Sequence, residues 1–131
     1  MITIEEVTAV PELEYTSNSV AELKVALSHT PLWSPEMWLI RATEPLFVCG
    51  VYWPAITTPP EFWVLLCRAW EERPIMVTRA AIRLLPRLLD RYPHIRARAP
   101  VDDRKSRRLI ELAGFRHLLD RNGYACYEVK K

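Results

Sequence analysis

The stretch "EFWVLLCRAW", residues 61–70, constrains the fold more than any other part of the chain. It follows the breaker "TTPP", and every side chain from position 62 to position 66 is apolar. Neighbouring side chains of a strand point to opposite faces of a sheet, so a strand that is apolar at consecutive positions is covered on both faces. The stretch therefore predicts a central strand with packed layers above and below it.

Segments on both sides of this strand predict an α/β fold. Before it, "ITIEEVTAV" indicates a first strand and "SNSVAELKVALSHT" a helix, while "MWLIRA" and "LFVCGVYW" indicate an antiparallel pair joined by "TEP". After it, "RPIMVTRAAIRLLPRLLDRY" has apolar side chains at helical spacing. Pro86 lies inside that helix and predicts a kink or a break, because proline has no backbone N–H to donate. "HIRARAPV" indicates a short strand.

The C-terminal part of the chain carries signals for a helix end and a tight turn. In "VDDRKSRRLIELAGF", Asp102 or Asp103 can cap a helix, and Gly114 can take the left-handed conformation that ends it. Asn122-Gly123 is a strong signal for a hairpin turn between "FRHLLD" and "YACYEV". The predicted element order is β-α-β-β-β-α-β-α-β-β.

Length and composition restrict the class of protein. The 131 residues fit one domain over 1–131, and a net charge of +2 is too small to indicate nucleic-acid binding. Three widely spaced cysteines favour a reduced, cytoplasmic setting over a disulfide framework. No run reaches the roughly 18 apolar residues of a membrane span. His29, His94 and His117 lack ligand spacing, so no metal site is expected.

The element order and the Gly-Phe ending of the last helix resemble the Gcn5-related N-acetyltransferase (GNAT) fold. Three stretches, "EFWVLLCRAW", "RPIMVTRAAIRLLPRLLDRYP" and "VDDRKSRRLIELAGF", are most similar to small GNAT-like proteins of bacteriophages and prophages, which are described as acetyltransferases or internal virion proteins. The likeness runs from Leu46 to Phe115, with matches at Tyr92-Pro93 and from Leu112 onward. It implies a mixed, mainly antiparallel sheet flanked by helices, an acetyl-CoA site, and a location in the host cytoplasm or the virion.

The turn that would bind the cofactor's pyrophosphate departs from the family pattern. In the superfamily this turn is glycine-rich, because backbone N–H groups must come close to the phosphates at a helix N-terminus. Here "AWEERPIMVT" contains no glycine. Pro74 removes one N–H donor, and Glu71 and Glu72 place carboxylates where the phosphates would lie. Arg73 compensates only in part, so the resemblance implies a degenerate site.

The last helix departs from the family motif as well. Aligned on the Gly-Phe ending, the motif positions are occupied by Asp103, Ser106, Leu109 and Ile110. Active members carry an asparagine that contacts the cofactor where this chain has Asp103, and a tyrosine that protonates the departing thiolate where it has Ile110. Isoleucine has no proton to give, so general-acid catalysis from that position is excluded.

These departures favour a non-catalytic protein that binds phage or host proteins and needs no cofactor. The alternative is an acetyl-CoA-dependent N-acetyltransferase acting on an unknown amine, in which the amine attacks without the help of a protein acid. Under that alternative the cofactor-binding residues implied by the resemblance are Cys67, Arg68, Ala69, Trp70, Arg73 and Asp103. No catalytic residue is assigned.

Basic side chains recur on two predicted helices. They are Arg79, Arg83, Arg87 and Arg91 on the first, and Arg104, Lys105, Arg107 and Arg108 on the second. One interpretation is contact with phosphates or nucleic acid. A solvated face balanced by Asp90, Asp102 and Asp103 is favoured, because no exposed aromatic side chains for base stacking lie between the arginines.

The tryptophans and one glutamate are the remaining candidates. Trp38, Trp53 and Trp63 are predicted to pack within strands, and Trp33 is predicted to be exposed in a loop. Glu61, at the start of the central strand, is the only carboxylate placed where folds of this type can hold a general base. A solvated glutamate at the strand edge is the favoured interpretation.

Overall fold

The computed structural model describes residues 2–8, 11–15, 36–53, 55 and 57–131. Ten elements follow one another in this part of the chain: β1 (Thr3–Val7), β2 (Glu36–Arg41), β3 (Pro45–Tyr52), β4 (Glu61–Leu66), α1 (Ala69–Glu72), α2 (Pro74–Arg91), β5 (His94–Pro100), α3 (Arg104–Ala113), β6 (Arg116–Arg121) and β7 (Tyr124–Lys130). The helix predicted for "SNSVAELKVALSHT" lies outside the described residues.

The strands form one sheet in the order β1-β2-β3-β4-β5-β7-β6. Every neighbouring pair is antiparallel except β4 and β5, which are parallel. Strand β4 is the fourth of seven, so the apolar run does form the central strand. The predicted mixed, mainly antiparallel sheet flanked by helices is confirmed.

The two faces of β4 contribute to two separate apolar clusters. Phe62, Val64 and Leu66 pack in the cluster that contains the buried faces of α2 and α3. Trp63 and Leu65 belong to a second cluster on the other face, which also contains Met37, Leu39, Val48 and Tyr52. Both faces of the central strand are therefore covered, and this is why its sequence has no polar alternation between 62 and 66.

The prediction for Pro86 was a kink or a break, and helix α2 runs through Pro86 without a break. Proline leaves the carbonyl of Ile82 without its helical donor. Ile82 and Pro86 both lie on the exposed side of the helix, where water can hydrate that carbonyl. The buried residues Leu84, Leu85 and Leu88 hold the opposite side of the helix on the sheet, and this packing outweighs the lost hydrogen bond.

Both ends of α3 form as predicted. The Asp103 carboxylate accepts a hydrogen bond from the backbone N–H of Ser106 at the N-terminus. Gly114 has a φ of 115° at the C-terminus, and the next residue, Phe115, donates its N–H to the carbonyl of Ile110 at 3.2 Å. This left-handed ending turns the chain so that Phe115 enters the core.

The hairpin between β6 and β7 also follows from its sequence. Asn122 and Gly123 have φ angles of 53° and 82°, as the two central residues of a type I′ turn require. The turn aligns β6 with β7 and places β6 at the edge of the sheet. The predicted hairpin is therefore confirmed.

Candidate functional site

The parallel strands β4 and β5 are paired over only a short distance. The ladder contains two pairs, Glu61 with Arg96 and Phe62 with Ala97. On its other side β4 pairs with β3 along its whole length. Beyond Phe62 the strands β4 and β5 run on without further ladder pairs, which leaves a β4–β5 opening between residues 63–65 of β4 and 98–100 of β5.

The backbone of Val64 faces the β4–β5 opening. The carbonyl of Pro60 accepts the N–H of Arg96 at 3.0 Å, so the backbone groups of Pro60 point towards β5. Backbone groups of alternate residues in a strand point to the same side, so those of Val64 do too. Within the part of the chain that the structure describes, no β5 residue is in ladder register with Val64. An extended ligand could hydrogen-bond to the strand here.

A cluster of polar side chains lies at the paired end of the opening. The Glu61 carboxylate is 2.8 Å from Nε of Arg98, and its side chain is only 16% exposed. Tyr52 lies opposite Glu61 in the β3–β4 ladder, and the Arg98 guanidinium lies 4.9 Å from the centre of the Tyr124 ring. Burial raises the pKa of Glu61, and the charge of Arg98 opposes that rise. The prediction of a solvated strand-edge glutamate is therefore wrong.

Sequence reasoning missed the partners of Glu61. Tyr52 comes from β3, Arg98 from β5 and Tyr124 from β7, and only the strand pairing brings them together. One weak signal exists in "HIRARAP", where arginines two positions apart share one face of a strand. That pattern indicates a basic face, but it does not indicate which carboxylate the face meets.

Replacing Arg98 with alanine is expected to make stability more sensitive to pH. Without Arg98 the pKa of Glu61 rises further, so the folded state binds its proton more tightly than the unfolded state does. The free energy of unfolding then falls as pH rises above about 4.3, the ordinary pKa of a glutamate carboxyl group. Below that pH this effect does not lower it. Because Arg98 is half exposed, we expect a loss of about 1–2 kcal/mol at neutral pH.

Urea unfolding at acid and at neutral pH measures this difference. The matched control is Arg121→Ala, since Arg121 is an exposed arginine of the edge strand β6 whose charge does not act on Glu61. An Arg98→Ala loss of equal size at both pH values would contradict the assigned role of Arg98.

Five of the six residues that the resemblance implied for cofactor binding, those between Cys67 and Arg73, lie in a helical turn after β4, and the sixth, Asp103, lies at the start of α3. Within this turn Trp70 donates its backbone N–H to Cys67 at 3.0 Å, and Arg73 donates to Ala69 at 2.6 Å. Glu71 donates to the carbonyl of Arg68 at 3.0 Å. The N–H of Cys67 itself is bonded to the carbonyl of Leu46. The turn therefore uses its own donors to hold its shape.

The charged side chains of the turn are mixed in sign. Arg68 pairs with Glu72 at 3.0 Å, and Arg73 lies 3.7 Å from Glu44. Both pairs are exposed and each is worth about 1 kcal/mol at most, so a phosphate could displace them. Glu71 is exposed and its charge would repel a phosphate at the same place. The backbone and Glu71, rather than the ion pairs, determine what the turn can bind.

The two departures on α3 have structural roles. One Asp103 oxygen accepts the Ser106 N–H at 3.1 Å, and the other accepts the Ser106 hydroxyl at 2.8 Å. Ile110 is buried in the cluster beneath α3. Asp103 therefore caps the helix and Ile110 fills the core, which explains both residue types without any cofactor.

The two described histidines each lie beside one carboxylate. His94 lies 3.3 Å from Glu128 and His117 lies 2.7 Å from Asp120, while His29 and Trp33 lie outside the described residues. In the described ranges no cluster of three or more metal-ligating side chains is present.

Two of the three predicted strand tryptophans lie in strands. Trp38 is in β2 and Trp63 is in β4, as predicted. Trp53 follows the last residue of β3 instead, and it packs edge-on against the Tyr92 ring, 5.6 Å between centres. Among the described helices, none is long and apolar enough to cross a membrane.

Comparison with solved structures identifies the fold. No family model matches the chain, and no curated protein matches it. A GNAT family acetyltransferase from Elizabethkingia anophelis with acetyl-CoA bound is similar at a TM-score of 0.67 and 16% identity, over 99% of this chain and 98% of that chain. A Bacillus subtilis acetyltransferase in complex with CoA is similar at 0.72 and 10% identity, over 100% and 99%.

The N-acetyltransferase PseH of Campylobacter jejuni in complex with acetyl coenzyme A is also similar, at a TM-score of 0.61 and 10% identity, over 100% of this chain and 99% of that chain. At these identities the likeness shows the fold alone. The chain has the GNAT fold that the resemblance implied.

The turn after β4 does not fit the pyrophosphate of the coenzyme A that this fold implies. A pyrophosphate needs several free N–H donors and a positively charged environment. Here three N–H groups donate within the turn, Pro74 has none, and Glu71 adds negative charge. The β4–β5 opening could accept an extended arm, but the turn after it has these three donors engaged and gains none at Pro74.

Proposed function

We propose that this chain is a GNAT-fold protein with a degenerate acyl-CoA site, which acts by binding other proteins and not by acyl transfer. One observation carries the proposal: the backbone N–H groups of Trp70, Glu71 and Arg73 are spent inside the turn that would have to hold the pyrophosphate. Asp103 as a helix cap and Ile110 as a core residue support it.

The expected loss of affinity for the pyrophosphate supports a protein-binding role over weak retention of the cofactor. A hydrogen bond to a charged group contributes about 1.5–3 kcal/mol, and three are missing here. At about 1.4 kcal/mol for each factor of ten, the loss corresponds to a thousandfold or more in affinity. A ligand held at micromolar concentration by an intact turn would then bind only above the millimolar range.

We place the protein in a bacteriophage or prophage setting, as a virion-associated or host-interaction protein made of a single domain over 1–131. The support is the resemblance of three stretches, "EFWVLLCRAW", "RPIMVTRAAIRLLPRLLDRYP" and "VDDRKSRRLIELAGF", to small GNAT-like phage proteins. In this setting the fold is a rigid scaffold, and partner recognition lies on its surface.

Calorimetry with acetyl-CoA at millimolar concentration tests the proposal. We expect no heat of binding from the purified protein. Binding in the micromolar range would overturn it. In that case Arg73→Glu should weaken binding by a charge-sized amount of about 1.5–3 kcal/mol if the turn holds the phosphates. Arg121→Glu, on the exposed edge strand β6, is the matched control and should bind like the parent protein.

An amine N-acetyltransferase is the second candidate, and the partly buried Glu61 carboxylate beside the β4–β5 opening favours it. A carboxylate with a raised pKa is suited to take a proton from an acceptor ammonium group. Release of free thiol from acetyl-CoA in the presence of an amine measures this activity. Turnover that is lost in Glu61→Gln and kept in Glu5→Gln would establish this candidate and exclude the first.

A further inference from the structure

The exposed side of α2 carries a line of arginines, Arg79, Arg83, Arg87 and Arg91. They recur every four residues and so lie along one side of the helix. Arg91 pairs with Glu36 of β2 at 2.8 Å. Among the described residues, Arg79, Arg83 and Arg87 have no acidic partner, and all three are exposed. Their charge is therefore available to a ligand.

Two of the three acidic residues expected to balance this charge, Asp90 and Asp103, are engaged elsewhere. Asp90 pairs with Lys131 at 2.7 Å. Asp103 caps α3, and the Glu111 carboxylate accepts the Tyr127 hydroxyl at 2.7 Å. Helix α3 adds three exposed cations that also have no acidic partner in the described part of the chain: Arg104, Lys105 and Arg108. Six cations then face solvent on two packed helices, and of the three expected acidic residues only Asp102 keeps a carboxylate without a partner in the described part of the chain.

Exposed apolar side chains lie on the same two helices. Ile75 is 70% exposed and Ile82 is 46% exposed, and they lie two turns apart on α2. Leu112 of α3 is 46% exposed. These three are among only five large apolar side chains that the described residues expose. Exposed apolar groups next to unbalanced charge indicate a binding surface more strongly than either feature alone.

The helix geometry orders these groups across the surface. Arg91 reaches β2, whereas Leu85 lies against Gly114 at the end of α3, so the arginine line and α3 are on different sides of α2. At 100° per residue, Ile75 and Ile82 fall between those two sides. An apolar strip therefore runs between a basic line on α2 and the basic residues of α3.

We infer that this surface binds an acidic amphipathic segment of a partner protein. We call it the basic helix face, and it consists of Ile75, Arg79, Ile82, Arg83, Arg87, Arg104, Lys105, Arg108 and Leu112. A helix with apolar side chains on one face and carboxylates on both flanks matches a strip bordered by cations. Nucleic acid fits less well, because isoleucine offers nothing to a phosphate and this surface has no exposed aromatic ring for stacking.

This inference names the partner class for the protein-binding role proposed above, and it rests on that role. Its test uses a labelled synthetic peptide of three heptads, with leucine at the first and fourth positions and glutamate at the flanking ones. Fluorescence anisotropy measures peptide binding at low and at high salt. We expect binding that weakens with salt and is lost when the leucines of the peptide are replaced by serine.

Matched variants separate the apolar and the charged contributions. Ile82→Ser is expected to weaken peptide binding about tenfold, as is Arg83→Glu, since each removes about 1.4 kcal/mol or more. The controls are Leu119→Ser and Arg121→Glu on β6, where Leu119 is exposed to nearly the same degree as Ile82. Both controls should bind the peptide like the parent protein, and all four substituted positions are exposed.

Each other outcome counts against the inference. Absence of peptide binding overturns it, as does equal binding by Ile82→Ser and Leu119→Ser. Binding of a single-stranded oligonucleotide that is as tight as peptide binding and indifferent to Ile82→Ser would assign the surface to nucleic acid instead. The acetyl-CoA titration is a separate readout. Binding of acetyl-CoA would overturn the proposed function, whereas absence of both acetyl-CoA binding and peptide binding would overturn only the inference about this surface.

Discussion

Replacing Gly50 with alanine is expected to lower the free energy of unfolding by about 3 kcal/mol or more. A β-carbon at Gly50 would lie 2.6 Å from Cζ2 of Trp63 and closer still to the carbonyl oxygen of Glu36. Neither neighbour can move freely, because Glu36 belongs to the β2–β3 ladder and Trp63 is buried, at 8% exposure. The strand needs a glycine here so that the indole can lie against the backbone.

Urea unfolding of the variant measures the loss. Gly123→Ala is the matched control, because it makes the same substitution with no atom within 4 Å of the new carbon. Its cost comes only from a φ of 82° and should be about 1 kcal/mol. If Gly50→Ala cost no more than Gly123→Ala, the close approach of Trp63 to the strand would be refuted.

Replacing Phe115 with alanine is expected to cost about 3–5 kcal/mol. Phe115 is 5% exposed, and its ring stacks on that of Phe62 with centres 6.2 Å apart. Phe62 belongs to the last ladder pair between β4 and β5. Phe115 therefore joins the end of α3 to the point where the two strands separate, and the cavity left by alanine would lie between them.

Thermal or urea unfolding of Phe115→Ala gives this cost directly. Leu118→Ala, three residues later on the exposed strand β6, should change stability by about 0.5 kcal/mol at most, since Leu118 is 41% exposed. A loss for Phe115→Ala as small as that of Leu118→Ala would show that the ring does not support the core. A large loss explains why the Gly-Phe ending persists in a chain whose Asp103 and Ile110 have structural roles.

The features that could be predicted are those decided by neighbouring residues. The unbroken apolar run from 62 to 66 implies two covered faces wherever that strand lies. Asp103 can reach the N–H three residues on, and Gly114 can take a positive φ, whatever surrounds them. Asn122-Gly123 selects its turn in the same way. Short-range sterics and hydrogen bonds settle these features before any distant contact forms.

The features that could not be predicted depend on which distant residues meet. Pro86 is tolerated because its side of α2 faces solvent, and solvent exposure is a property of the packed molecule. Asp90 could have balanced an arginine of its own helix, yet Lys131 at the end of the chain takes it. The unbalanced charge of the basic helix face results from such pairings between residues that are distant in sequence.

The sequence by itself determined the central strand, the α3 caps, the hairpin and the absence of glycine from the turn after β4. Only the tertiary structure decided that β4 and β5 separate after two pairs, and that the partly buried Glu61 pairs with Arg98. The physical reason is that a local pattern limits backbone angles and the faces of an element. The register between strands decides which charges are buried and which are paired, and it depends on packing throughout the core.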